Sequence, residues 1–154
     1  MFSVKTPLVM VITEKFKSLL FGMPQSSSVR SVLLLLVRII FGLMFLSHGI
    51  GKWIAFSDSP NTFPDPLHIG GALSFWLALF AEVVCTFGFM LGALYRLCLI
   101  PMIFTMLVAV LVVHSGDPFA TKELALMYLT IFVLMFISGP GIFSVDAVLK
   151  GFFK

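Results

Sequence analysis

The sequence predicts an all-α fold, a transmembrane four-helix bundle with both termini in the cytoplasm and an amphipathic N-terminal segment lying in the membrane interface. Three observations carry this. The chain is 60% hydrophobic and only 11% charged, with a mean hydropathy of +1.12. Soluble domains hold about 25% charged residues, so this composition cannot cover a globular surface. Four apolar runs are each of the order of the about 20 residues that cross a hydrocarbon core. Finally, the basic residues fall unevenly between alternate connections. With both termini inside, the inner side holds Lys5, Lys15, Lys17, Arg30, Arg96, Lys150 and Lys154, against Lys52 and Lys122 outside. That bias sets orientation in a multi-pass protein of the cytoplasmic (inner) membrane. The net charge of +3 resides in tails and turns, so nucleic acid is not an expected partner.

Residues 1–30 form a basic, amphipathic N-terminal segment. Glu14, Lys15 and Lys17 interrupt its apolar run, and Gly22 and Pro24 end it. It is too short and too charged to span, and it lacks an A-x-A-like cleavage site. An interfacial helix is the form expected of it. The membrane domain then covers 31–149, and 150–154 is a tail. The first span runs from Ser31 to Lys52. A loop of about fifteen residues follows, where Pro60, Pro64 and Pro66 forbid regular helix. It hints at a small lid or a partner contact. Trp53, Phe56 and Phe63 suit an interfacial aromatic belt. The second span is expected over Ala72–Leu94, with Glu82 near its middle and a Gly88-x-x-x-Gly92 pair for close helix packing. The third runs from Leu97 to His114 with Pro101 in its first turn, where proline is tolerated. The fourth runs from Lys122 to Ile137 and stops at Gly139-Pro140-Gly141; an amphipathic tail closes the chain.

Cys85 and Cys98 differ in expected depth by about 12 Å at 1.5 Å per residue, so no disulfide is expected. No zinc, haem-attachment or iron–sulfur spacing is present, and neither a metal site nor an intrinsic cofactor is expected.

The ionisable residues in these spans are the candidate site, because charge at membrane depth costs about 2.5–3.5 kcal/mol even on lenient scales. His48 and Lys52 end the first span, His114 ends the third and Glu123 opens the fourth, all on the outer side. Glu82 lies at mid-depth, and Arg38 deeper toward the inner side, roughly within reach of Glu82. The expected site is a polar pocket at the outer half of the bundle that binds a polar head group or relays protons. Gly49 and Gly51 would let a ligand approach the backbone of the first span. The structural alternative is an Arg38–Glu82 pair that merely neutralises itself, with the helix-end groups snorkelling to water.

Taken in order, His48-Gly49-x-Gly51-Lys52, the mid-helix Glu82, Glu123-x-Ala125-Leu126 and Gly139-Pro140-Gly141-x-x-Ser144-x-Asp146 make residues 32–149 resemble the DoxX family. The resemblance implies a four-helix protein of the cytoplasmic membrane, with relatives that include a membrane subunit of a thiosulfate–quinone oxidoreductase. The function it leads us to expect is a small integral subunit of a quinone-linked oxidoreductase. A quinone is the only cofactor in view, and the expected partners are the lipid membrane and a protein subunit, with homo-oligomerisation left open. The alternative is a non-enzymatic scaffold or assembly factor for a partner protein. A transporter subunit ranks below both, since four helices are few for alternating access.

Overall fold

A computed structural model describes residues 27–152; the expected N-terminal interfacial helix and the last two residues of the tail lie outside them. Helix α1 spans Ser27–Phe56, α2 Gly71–Leu91, α3 Tyr95–Val113, α4 Phe119–Ser138 and α5 Val145–Phe152. The first four are long and apolar enough to cross a membrane, and no strand occurs among the described residues. The protein is a multi-pass membrane protein. Four passes bring the start of α1 and the end of α4 to one end of the bundle, the terminal end. The opposite end carries the 57–70 loop and the α3–α4 turn, and is called here the loop end.

Each spanning helix packs on the next, and α4 closes back onto α1. The centre is aromatic: Phe45 meets Tyr128 and Phe132 at ring-centroid distances of 5.2 and 4.9 Å, and Phe89 lies 5.6 Å from Phe132. Large apolar side chains such as Ile54, Val84, Leu111 and Ile137 stay exposed on the outside, as a lipid-facing surface requires.

Two glycines seven residues apart bring α1 against α2. A Cβ at Gly42 would collide with Met90 Cγ, and one at Gly49 would lie 2.8 Å from Val83 Cγ2 and 3.0 Å from Glu82 Cβ. The Gly88-x-x-x-Gly92 pair splits in role. Gly88 admits Cys98 of α3, as expected of a packing glycine, whereas Gly92 (φ +68°) is the left-handed residue that ends α2. The second span therefore stops three residues before the expected Leu94. The cysteine argument changes with it. Cys85 is six residues from the end of α2 and Cys98 three from the start of α3, so the depth difference shrinks to about 4.5 Å. Both thiols are free, and Cys98 Sγ donates to Ala93 O at 3.6 Å.

The terminal end is locked by the motif that follows α4. Arg38, 1% exposed, donates from Nη1 to Pro140 O (2.6 Å) and from Nη2 to Met90 O and Phe143 O (both 2.9 Å). Its guanidinium also lies 6.0 Å from the centre of the Tyr95 ring. The Asp146 carboxylate accepts the amides of Leu94 and Tyr95, both at 2.9 Å, and so caps the start of α3. Ser144 Oγ accepts the Ala147 amide and caps α5. The Gly-Pro-Gly-x-x-Ser-x-Asp ending is thus a clasp around Arg38.

At the loop end the 57–70 segment folds back on the helix ends. Phe63 packs between Phe56 (5.1 Å) and Phe75 (5.6 Å), and Trp53 lies 5.9 Å from Trp76. Asp65 fixes the last turn of the loop by accepting from Ile69 N, Gly70 N and Ser74 Oγ. Partial desolvation pushes the Asp65 carboxyl up, but these donors and the neighbouring His68 outweigh it and hold the group below the usual carboxylate range.

Candidate functional site

The polar residues at the loop end surround a cavity of about 240 Å³, with walls from all four spanning helices. α1 supplies Phe45, His48 and Lys52, spaced to share one helix face, and α2 supplies Glu82. α3 contributes Met106 and Ala109, with His114 directly after its last turn, and α4 adds Thr121, Leu124, Ala125 and Tyr128.

Glu82 is the centre of this chamber. It is fully buried and sits on a wide π-helical turn, Phe80–Val84, that interrupts α2. A second π-helical turn, Ala109–Val113, interrupts α3 just before His114. Such turns insert a residue into the helical ladder and re-aim side chains, and they recur at functional sites. Here both border the chamber. Glu82 Oε1 is paired with Lys52 Nζ, and Gly49 makes this pairing geometrically available by letting α1 rest on Glu82 itself. Glu82 Oε2 and the hydroxyl of Tyr128 are buried and have no hydrogen-bond partner among the described residues. Both belong to residues that line the one cavity, and buried polar atoms left unsatisfied beside a cavity are what a site shaped for a polar ligand presents. His48 is exposed and meets Tyr128 edge-to-face at 5.7 Å.

A second, larger cavity of about 510 Å³ adjoins the first; Lys52, Met106, Ala109 and His114 line both. It is an apolar groove between α2 and α3, walled by Leu77, Phe80, Phe104 and Val108. Phe63, Pro64 and Leu67 of the 57–70 loop line it as well. The site is a polar chamber beside a greasy groove.

Of the residues singled out by sequence, His48, Lys52, Glu82 and His114 are brought together. Arg38 is not: it belongs to the clasp at the terminal end, 14 residues or about 21 Å along α1 from Lys52, and the Arg38–Glu82 pair does not form. Glu123 is exposed and outside the chamber. The chamber-facing stripe of α4 is Thr121, Leu124, Ala125 and Tyr128, and a residue beside that stripe points about 100° away. His114 pairs instead with Asp117, Nδ1 to Oδ2 at 2.8 Å. Gly49 serves helix contact rather than ligand approach, and a Cβ at Gly51 would meet open space. Sequence reasoning missed Tyr128 and Asp117. Both left a signal: a tyrosine in an apolar span needs a hydroxyl partner, and Asp117 stands three residues after His114.

The two glycines give a paired prediction. Gly49→Ala should cost about 1–3 kcal/mol, because neither Val83 nor the Glu82 backbone has room to yield. Gly51→Ala should be neutral or stabilising by up to about 1 kcal/mol through helix propensity alone. Thermal unfolding in detergent checks both; equal effects would refute the close α1–α2 contact.

No curated protein and no solved structure matches the chain. The DoxX family model matches residues 33–115, more than half of the 154-residue chain. That match takes in α1 from its second turn, α2, α3 and the chamber residues His48, Lys52, Glu82 and His114, and ends before α4. The chain belongs to the DoxX family.

Proposed function

We propose that the protein is a quinone-binding membrane subunit of an oxidoreductase system. The observation that supports this reading is the juxtaposition of the two cavities: a chamber with a buried ion pair and two unsatisfied polar atoms, bordered by an apolar groove. A ligand with a polar ring and a hydrocarbon tail matches both surfaces at once. A quinone supplies a carrier of two electrons and two protons that lives in the bilayer. The chain's own residues provide the rest. Lys52 and Tyr128 offer donors to ring oxygens, the Glu82 carboxylate offers an acceptor, and the imidazoles of His48 and His114 stand beside them. The His114–Asp117 pair links the chamber to the exposed turn, which suits delivery of protons to or from water. Phe80 and Phe104 keep the groove dry. The oxidoreductase partner would sit on a peripheral or soluble subunit. The bias of basic residues supports a cytoplasmic membrane with both termini inside and the chamber toward the outer face.

The test is to titrate the full chain in lipid nanodiscs with a decyl-chain benzoquinone. Saturable binding should weaken at least about tenfold in Tyr128→Phe and in Phe104→Ser, which damage the chamber and the groove separately. Binding that ignores both substitutions would remove the reading. A stoichiometric protein partner retained by a chain that binds no quinone would favour the scaffold role.

A further inference from the structure

We infer that the chamber selects the reduced, hydroxyl-bearing quinol over the quinone, and that Glu82 is the group that discriminates. This rests on the proposed quinone site and sharpens it by naming the ligand form.

The argument is a count of donors and acceptors. Glu82 is ion-paired through Oε1 to Lys52, and an ionised carboxylate is acceptor-only. Its second oxygen is buried with no donor among the described residues, on a residue that lines the chamber. What that oxygen lacks is an O–H or N–H. A quinone carries two carbonyl oxygens and no donor, so against Oε2 it sets acceptor against acceptor and leaves that buried oxygen without a hydrogen bond. A quinol carries two hydroxyls, and one of them donates to Oε2 in a charge-assisted bond. The other polar groups do not discriminate in the opposite sense. Lys52 Nζ donates to a carbonyl or to a hydroxyl oxygen, because a hydroxyl also accepts. The Tyr128 hydroxyl, likewise without a partner, both donates and accepts and so serves either form. His48 and His114 line the same chamber; a ring nitrogen that donates meets either oxygen type, and one that accepts also favours the hydroxyl form. Glu82 Oε2 is the fully buried acceptor that requires a donor.

A buried polar group left unpaired by the wrong ligand is the strongest source of discrimination between close analogues. The expected preference is at least about tenfold for the quinol. By linkage, tenfold tighter binding of the reduced form raises the two-electron midpoint potential of the bound couple by about 30 mV.

The experiment compares three probes on the full chain in nanodiscs under anaerobic conditions: a decyl-chain benzoquinol, the matching benzoquinone, and the quinol's dimethyl ether. The ether keeps the ring and tail but has no donor. The quinol should bind at least about tenfold tighter than either other probe, and Glu82→Gln, whose amide can both donate and accept, should collapse the difference. If Glu82→Gln does not fold, the ether comparison on the unaltered protein decides alone. A quinone that binds as tightly as the quinol, or an ether that matches it, overturns the inference while leaving the quinone site standing. Binding of none of the three probes brings down the site assignment itself, and the inference with it.

Discussion

Arg38→Ala is expected to be the most damaging single substitution in the membrane domain, although it lies far from the chamber. The side chain is 1% exposed and gathers three main-chain carbonyls from two places: Met90 near the end of α2, and Pro140 and Phe143 in the segment after α4. Hydrogen bonds to a charged group contribute about 1.5–3 kcal/mol each. They do not add simply, and removing the guanidinium also relieves its own desolvation cost. A loss of about 4 kcal/mol remains the expected result, because three carbonyls lose a charged donor together and the two segments that it ties come apart. For a chain of this size that lowers the unfolding midpoint by about 10 °C. Arg38→Lys should recover only part of it, since an ammonium cannot span carbonyls arranged around a planar fork. The chain's two cysteines provide the measurement: Cys85 is buried and Cys98 half-buried, so a thiol-reactive dye reports unfolding directly. A midpoint within about 2 °C of the unaltered protein would show that the clasp contributes little.

That Arg38 is a structural residue and Glu82 a chamber residue was not legible in the sequence, and the reason is physical. In a segment apolar on nearly every face, helical periodicity does not reveal which side points inward, so depth was the only guide. Depth placed Arg38 near Glu82, but the helix face and the Gly-Pro-Gly ending gave Arg38 other partners. The four spans were legible because length and hydropathy alone set them, and their ends shifted by a few residues where caps decided. Gly92 and Asp146 are examples: the first stops α2 early through its left-handed backbone, the second starts α3 early by capping Leu94 and Tyr95. The two π-helical turns had no sequence signal, since Phe80–Val84 and Ala109–Val113 read as ordinary apolar helix. They nevertheless border the chamber from two sides. His48, Lys52, Glu82 and His114 were legible as a group because polar residues are costly at those depths; Glu123 shared that cost argument but stands exposed in the first turns of α4, outside the chamber lining.

The Lys52–Glu82 pair should behave asymmetrically when broken, and the asymmetry separates stability from function. Glu82 is fully buried, while the Lys52 side chain is 32% exposed. Glu82→Ala leaves an ammonium on a flexible stem that can reach the interface, a loss of about 1 kcal/mol. Lys52→Ala leaves a buried carboxylate with neither oxygen paired, and should cost about 3–5 kcal/mol. The double substitution Lys52→Met with Glu82→Leu removes both charges and fills the space, so it should be milder than Lys52→Ala alone and close to neutral. Unfolding midpoints of the three variants check the order; equal losses for the two single substitutions would mean that burial does not control the pair. The apolar double variant should fold well and bind neither quinol nor quinone with the affinity of the unaltered chain. A pair that can be exchanged for hydrophobic residues at no cost in stability, but not without losing the ligand, is held in the bundle by its chemistry. The Glu82 carboxylate is then present for the hydrogen bond it has yet to make, and Lys52 as its ion-pair partner.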